Sequence, residues 1–312
     1  MSNEKLEWSY FSKIENAEDL ENYIKNRNAS KSETTVYKNV RAYAHSGFYH
    51  YTKMGNLEKI LENNSFLLTR VGESNDPMEK KLNENVYSYH FCFSTGENEN
   101  LPLWYLYSGV EGKGARISLT KSKVYKLISQ GTYTLVEYDD GIVKNGFQLS
   151  LNEEIDFDLR FQDVVYVKEK DEFVDLKYNT MTNYNKIKTE NFATFKNNNS
   201  AFIKSLIWYY EKETRLVATL KPQIVEKLDK NKKYAIKLSF NHLPEFRKNI
   251  KLTLAPECLA DSEVFTFEQI TKCLSPYKNV CNWLIETSNC SKSEHSGQVK
   301  MNLCGKCEKR NS

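Results

Sequence analysis

Three charged side chains occupy alternate positions in the stretch Trp208-Tyr209-Tyr210-Glu211-Lys212-Glu213-Thr214-Arg215-Leu216-Val217. Side chains alternate between the two faces of an extended strand, so Glu211, Glu213 and Arg215 are expected on one face. When two carboxylates are neighbours, repulsion between their like charges raises the pKa of one of them, while an adjacent arginine lowers the pKa of the other. The pair would then supply an acid or hydrogen-bonding group and an ionised group. An edge-strand salt bridge is the structural alternative.

The elements that would position these residues mix strands and helices. Residues 6–27 carry an approximate helical stripe, which predicts an N-terminal helical extension over residues 1–45. Strands are predicted over 47–52, 65–70, 86–94, 114–119, 133–138, 163–167, 211–217, 234–240 and 250–254, and helices over 54–61, 101–107 and 265–274. Residues 183–209 are predicted to be mostly helical, with an interruption at Asn197-Asn198-Asn199-Ser200 that starts a second helix ending near Trp208. Because the order lacks βαβ regularity, the sequence favours an α+β fold, with a main domain over residues 46–275.

Composition limits the classes of protein that fit. Of 312 residues, 40% are hydrophobic and 13% aromatic, which is enough apolar material for a core. The formal charge of +3 is too small to identify a nucleic-acid binder by itself. No apolar run approaches the length of a membrane helix, and residues 1–20 lack the apolar core of a signal peptide. We therefore expect a cytoplasmic protein without a membrane partner.

Cysteine is concentrated in the last part of the chain. Four of the seven cysteines fall in residues 276–312, and Cys304-Gly305-Lys306-Cys307 has the form of a zinc-knuckle turn. We predict a structural zinc bound by Cys290, His295, Cys304 and Cys307, with Cys281 able to replace Cys290 or His295. Unligated thiols on a basic tail are the alternative. The tail's excess of basic residues would suit nucleic acid or an acidic partner.

Five short motifs appear in a fixed order along the main domain: His50-Tyr51-Thr52, Asn75-Asp76-Pro77-x-Glu79, Phe91-Cys92-Phe93-Ser94, Leu103-Trp104 and Trp208-x-x-Glu211-x-Glu213-x-Arg215. Together they resemble a large bacterial family of unknown function, over roughly residues 47–275. That family looks like a remote branch of the ADP-ribosyltransferase superfamily. The His-x-Thr strand followed by a helix is similar to the opening of the DarT nucleic-acid ADP-ribosyltransferases.

The resemblance implies a split pair of small sheets that clasp NAD, with nicotinamide as the leaving group. Breaking the glycosidic bond develops positive charge on the ribose, so a carboxylate on the 2′-hydroxyl stabilises the transition state. Glu213 is the candidate for that role, and Glu211 for orienting or deprotonating the acceptor. The two assignments are interchangeable at this stage.

The resemblance also implies which residues contact NAD. His50 and Thr52 would bind ribose hydroxyls, and arginines would bind the pyrophosphate. Tyr105 or Tyr107 would stack on the nicotinamide, and Tyr51 is expected to pack inward. Asn75 also fits a simple turn, and Arg215 also fits a role in holding the glutamates. The residues assigned to NAD binding are His50, Tyr51, Thr52, Arg70, Asn75, Ser94, Tyr105, Arg116 and Arg215.

The function implied by the resemblance is an ADP-ribosyltransferase that acts as a bacterial toxin or antiphage defence effector. Its acceptor would be a macromolecule, with nucleic acid (RNA or DNA) preferred to protein. An antitoxin or chaperone is expected as a partner that restrains the activity. The alternative is a noncatalytic regulatory module that binds a partner through the cysteine-rich tail. A metal-dependent phosphodiesterase is not favoured, because the sequence before residue 276 shows no convincing cluster of acidic residues or histidines that would bind the metal.

Overall fold

The architecture is known from a computed structural model. It describes residues 13–14, 40–41, 45, 47–84, 86–95, 99–108, 114–139, 142–153, 155–167, 200–247, 250–255 and 284–287. Helices and strands mix in this part of the chain, and most strand pairs are antiparallel. This agrees with the α+β class. The residues predicted to bind zinc, Cys281 and the helix over 265–274 lie outside the described residues.

The described strands are β1 (Lys13–Ile14), β2 (Val40–Arg41), β3 (Gly47–Lys53), β4 (Ser65–Arg70), β5 (Ser88–Ser94), β6 (Gly114–Thr120), β7 (Thr132–Asp139), β8 (Ile142–Leu151), β9 (Phe157–Asp163), β10 (Val165–Val167), β11 (Ile203–Ser205), β12 (Glu213–Leu220), β13 (Tyr234–Ser239), β14 (Lys251–Leu254) and β15 (Leu284–Thr287). The described helices are α1 (Met54–Asn63), α2 (Pro77–Asn83), α3 (Leu101–Ser108), α4 (Lys121–Gln130), α5 (Pro222–Val225) and α6 (Pro244–Arg247). Short 3₁₀ helices cover Val71–Glu73, Ser200–Phe202 and Leu206–Glu211.

Strand β5 is the branch point of the large sheet. Along one edge it pairs with β12 over its whole length, from Ser88 opposite Thr219 to Ser94 opposite Glu213. Its other edge is shared by two strands: β3 pairs with it only at Ser94, and β4 only at Tyr89 and His90. Because β3 and β4 cannot both lie beside the middle of β5, they diverge. A forked opening results at the centre of the sheet.

The two faces of β5 and β12 have different chemistry. On one face, Phe91, Phe93, Leu216 and Ala218 belong to the hydrophobic core. Side chains alternate along a strand, so the opposite face carries Cys92 from β5, with Glu213 and Arg215 from β12. The core therefore supports one side of this strand pair, and the charged residues stand on the other.

Helix α2 follows a proline turn and is fixed by one aspartate. Asp76 is its N-cap, and Oδ1 accepts a hydrogen bond from the Met78 N–H at 2.9 Å. The second oxygen, Oδ2, accepts from the backbone N–H of Ser205 at 3.1 Å. The side chain therefore ties α2 to β11, and it sets where Glu79 enters the site.

Two predicted helical segments are wrong within the described residues. Lys13–Ile14 is a strand paired with Tyr166 and Val167 rather than part of a helix. The helix predicted to end near Trp208 is replaced by two 3₁₀ helices with β11 between them. The physical reason is tertiary: β11 pairs with β10 and its Ser205 N–H bonds to Asp76, which together override local helix propensity.

Replacing Asp76 by alanine should destabilise the fold. The change removes the helix cap and leaves the Ser205 N–H buried without its acceptor, for a combined loss of about 2–4 kcal/mol. Urea unfolding measures it as a lower midpoint with an unchanged m-value. Asp158→Ala is the control, because Asp158 is 69% exposed and its bond to Lys221 should contribute at most ~1 kcal/mol. Equal losses in the two variants would contradict the role given to Asp76.

Candidate functional site

The charged face of β12 forms one wall of a cleft of about 810 Å³. The cleft runs from the acidic residues on β12 and α2 through the fork of the sheet to α1 and the β7–β8 hairpin. This volume lies within the ~300–1,000 Å³ typical of small-molecule sites. Among the residues predicted for function, those lining the cleft are Glu211, Glu213, His50, Tyr51, Thr52, Asn75, Ser94 and Arg215.

Arg215 is the centre of a buried ion network. Its guanidinium is 0% exposed and donates to Glu213 through Nε at 2.9 Å and Nη2 at 3.0 Å. Nη2 also donates to Glu79 on α2, and Nη1 donates to the Ala201 carbonyl at 2.8 Å. Each guanidinium nitrogen therefore has an acceptor, which a buried charge requires. Through these hydrogen bonds Arg215 connects α2, β12 and the chain before β11.

Lys204 on β11 joins the two glutamates. Its Nζ donates to Glu211 Oε2 and, at 3.1 Å, to Glu213 Oε2. The ammonium also lies 5.1 Å from the centre of the Trp208 ring, within the range of a cation–π contact. Burial opposes the charged form of Lys204, but the carboxylate of Glu213 outweighs it, and the pKa of the ammonium stands above its usual value.

Glu211 reaches the site differently from what the strand pattern predicts. It closes the 3₁₀ helix Leu206–Glu211, and the strand begins only at Glu213. Between them Lys212 adopts a left-handed conformation with φ 44°, and its carbonyl accepts from the Thr95 N–H at 3.1 Å. The prediction that Glu211 lies on a strand face with Glu213 is therefore wrong. The left-handed turn, not strand alternation, brings both glutamates to Lys204.

The two carboxyl groups have opposite pKa shifts. Burial, followed by the negative charge of Glu213, raises the pKa of Glu211 to about 7. Burial also disfavours ionisation of Glu213, but the charges of Arg215 and Lys204 outweigh it and hold the pKa of Glu213 well below its ordinary value. At neutral pH the pair therefore contains one group close to its titration midpoint and one fixed carboxylate. That is the division proposed for paired catalytic carboxyls.

His50 occupies the fork on the other side of β5. Its Nδ1 donates to the Cys92 carbonyl at 3.0 Å, which lies where neither β3 nor β4 pairs with β5. The ring packs against Phe91, with centroids 4.1 Å apart. Burial lowers the pKa of His50 to about 4, so the imidazole is neutral at pH 7. Because Nδ1 carries the proton, Nε2 is the acceptor nitrogen.

The remaining residues predicted for NAD fall into two groups. Thr52, Asn75 and Ser94 line the cleft; Tyr51 does too, but its ring packs inward edge-on to Trp104, with ring centroids 4.8 Å apart.

Arg70, Arg116 and Tyr105 are not among the residues that line the cleft. Arg70 stacks over Tyr87 and donates to the Glu84 carbonyl at 2.8 Å. The guanidinium of Arg116 lies over the Tyr49 ring, 4.8 Å from its centre, and Tyr105 is 61% exposed on α3. The structure thus does not bring these three together with the glutamates.

Sequence reasoning missed several residues of the site. Lys204 was hidden by the predicted helix, although a single lysine within the apolar run Ala201-Phe202-Ile203 and Leu206-Ile207 is a usable signal for a paired buried charge. Glu79 belongs to the motif Asn75-Asp76-Pro77-x-Glu79, but the sequence alone predicts no role for it. Trp208, for which the sequence predicts no role, also lines the cleft. His90 also lines it, and burial, with the nearby charge of Arg215, lowers its pKa to about 3.

Comparison with known proteins adds no assignment. No protein-family model matches this chain, and a search of curated proteins found no match either. Within the described residues, no group of three or more histidine, cysteine, aspartate or glutamate side chains has the arrangement of a metal site. No described helix is both long and apolar enough to span a bilayer.

The raised pKa of Glu211 predicts a specific pH dependence of stability. The folded protein holds a proton on Glu211 that the unfolded chain, with a pKa of about 4.3, has already lost. Ionisation of Glu211 therefore lowers the free energy of unfolding as pH rises from about 4.3 to about 7. Glu211→Gln removes this loss, so its stability relative to the parent protein should rise by about 1–3 kcal/mol between pH 4 and pH 8.

Urea unfolding at several pH values measures this difference. Glu226→Gln is the control, since Glu226 is exposed at the end of α5 and should give a nearly flat difference. A flat difference for Glu211→Gln as well would show that Glu211 titrates as an ordinary carboxyl group.

Proposed function

We propose that this protein is an NAD-dependent ADP-ribosyltransferase that transfers ADP-ribose to a macromolecule and releases nicotinamide. The observation that carries the proposal is the pair Glu211 and Glu213, which have opposite pKa shifts on the wall of a cleft also lined by His50. Glycosidic cleavage with an oxocarbenium-like transition state is commonly served by two carboxyl groups of unlike ionisation.

The charge of the site suits such a transition state. Glu79, Glu211 and Glu213 surround two cations, Lys204 and Arg215, so the network holds one surplus negative charge when all three carboxyls are ionised. Burial of these groups strengthens their field, because water cannot screen it. A ribose that develops positive charge beside the glutamate pair would be stabilised, while the pyridinium ring loses its positive charge and departs as neutral nicotinamide.

The two glutamates have different capacities for chemistry. Both oxygens of Glu213 are bonded to Arg215, and Oε2 also to Lys204, which suits a fixed carboxylate. Within the described part of the chain, Glu211 makes one side-chain hydrogen bond, through Oε2, which leaves Oε1 for a ligand. We therefore assign the general base to Glu211, which would take the proton of the attacking acceptor group. Glu213 would supply the fixed negative charge near the ribose.

The residues in the fork suit binding of the dinucleotide. Nε2 of the neutral His50 can accept a hydrogen bond from a ribose hydroxyl, and Thr52 lines the same opening. Divergence of β3 and β4 from one edge of β5 supports an ADP-ribosyltransferase-like fold, in which a split in the sheet holds NAD. In this protein the sheet remains continuous across the fork, because β5 is hydrogen-bonded to both β3 and β4.

The acceptor and the biological role belong to the same proposal. Nucleic acid is preferred to protein, because the His50-Tyr51-Thr52 strand and the α1 helix that follows are similar to the opening of nucleic-acid ADP-ribosyltransferases, and because the cysteine-rich segment is basic. A cytoplasmic toxin or antiphage defence effector, restrained by an antitoxin or chaperone, would use this activity.

One observation favours a noncatalytic binding module as the second candidate. Glu79, Glu213 and Arg215 are buried and bonded mainly to one another. Such networks also occur as purely structural features. The two functions differ in whether NAD is consumed.

Incubation of the purified protein with labelled NAD and separate RNA, DNA and protein pools tests the proposal. We expect nicotinamide release with label in a nucleic-acid pool, and a fall of about 10²–10⁴-fold in the rate for Glu211→Gln, as for loss of a general base. Glu226→Gln, at an exposed site, should keep the parent rate. No nicotinamide release with any pool, or equal rates for Glu211→Gln and the parent, would favour the noncatalytic module.

The cysteine-rich segment is proposed to hold one structural zinc, through Cys290, His295, Cys304 and Cys307. Elemental analysis of protein purified without added metal should give one zinc per chain, and Cys304→Ser should lower it because a tetrahedral site then lacks a thiolate. Cys273→Ser, outside the predicted ligand set, is the control. Metal-free parent protein would refute the site.

A further inference from the structure

Lys204 is not one of the residues predicted for chemistry from the sequence, yet its ammonium group contacts both members of the glutamate pair. Its Nζ donates to Glu211 and Glu213, and the face of the Trp208 ring lies 5.1 Å away. Lys204 is 7% exposed, so water contributes little to its solvation. An ammonium group in this position exerts nearly its full field on the two carboxyl groups.

We propose that Lys204 is a positioning residue whose ammonium group, held between Glu211 and Glu213 beneath Trp208, fixes the charge that Glu211 presents to the cleft. The part of this inference that concerns turnover rests on the proposed transferase function. The part that concerns the charge of Glu211 rests on the contacts alone.

The alternatives to Lys204 are weaker partners for Glu211. Arg215 is committed to Glu213, Glu79 and the Ala201 carbonyl. The other titratable groups that face Glu211 carry no positive charge: Glu213 on β12 and Tyr107 on α3, together with Tyr166 on β10 and Tyr210 on the same 3₁₀ helix. Lys204 is therefore the cation that donates a hydrogen bond to Glu211 within the described residues.

The geometry also lets Glu211 change charge without disturbing its neighbours. If Glu211 accepts a proton, Lys204 keeps its bond to Glu213 at 3.1 Å. The ammonium then remains paired, and no buried cation is left alone. A group that must be ionised to start a reaction and protonated during it needs such a partner.

Removing the charge of Lys204 should raise the pKa of Glu211. Loss of an opposite charge at hydrogen-bonding distance raises a carboxyl pKa by about 1 to 3 pH units, from a starting value of about 7. Lys204→Met keeps most of the aliphatic length and removes the charge. Lys204→Arg keeps the charge and should leave the pKa of Glu211 close to that of the parent protein.

Carbon-13 NMR of protein labelled at glutamate carboxyls measures the effect directly, without turnover. The Glu211 signal is identified as the one missing in Glu211→Gln. Lys212→Met is the matched control: Lys212 is next to Glu211 in sequence but exposed, and should change the titration by only a few tenths of a pH unit. If Lys204→Met does not fold, Lys204→Gln keeps a hydrogen-bond donor without charge and should give the same rise.

Enzyme kinetics supply the second readout. In Lys204→Met the acidic limb of the NAD turnover profile should move to higher pH in parallel with the NMR titration, with the rate partly restored above that limb. A merely structural lysine would lower the rate equally at all pH values. An unchanged titration of Glu211 in folded Lys204→Met or Lys204→Gln, or an equal change in Lys212→Met, would overturn the proposal. A shifted titration in protein that consumes no NAD would uphold it and reject the transferase function.

Discussion

The buried guanidinium of Arg215 is the constraint on which the site depends. A fully buried charge is tolerated only when acceptors surround it, and here they come from α2, β12 and the Ala201 carbonyl. Satisfying Arg215 therefore fixes the relative positions of three segments, of which α2 is far from the other two in sequence. Glu213 is ionised because of this contact, and Glu211 has a raised pKa partly because Glu213 is ionised. The charge asymmetry of the cleft therefore depends on Arg215, together with burial and the ammonium group of Lys204.

The fork in the sheet provides the space that this asymmetry needs. Strand β5 pairs with β12 along one edge, and β3 and β4 diverge along its other edge. The charged face and the opening therefore meet at the same strand. His50 satisfies the Cys92 carbonyl where strand pairing is missing. Its neutral state follows from burial. A ligand in the cleft would lie between the glutamate pair beyond one edge of β5 and the neutral imidazole of His50 beyond the other edge.

Local sequence predicted those parts of the structure that local forces decide. The strand β4 was predicted at its observed bounds, Ser65–Arg70. Asp76 before Pro77 has the residue types of a helix start, and Asp76 is the N-cap of α2. Glu213 and Arg215 do share a strand face, as alternation requires. The position of Glu211 could not be read this way, because it depends on the left-handed Lys212 and on Thr95, whose N–H bonds the Lys212 carbonyl. The position of Lys204 depends on the pairing of β11 with β10 and on the Asp76 contact to Ser205. The fork depends on how β3 and β4 pair with β5. Sequence periodicity predicts none of these contacts.

A crystal structure of Glu211→Gln protein in complex with NAD tests the central claim most directly, because the variant should bind the dinucleotide while turning it over slowly. We expect the nicotinamide ribose beside residue 211 and Glu213, with a ribose hydroxyl within about 3 Å of His50 Nε2. NAD bound away from the fork, or no binding at millimolar NAD by calorimetry to either the variant or the parent protein, would contradict it.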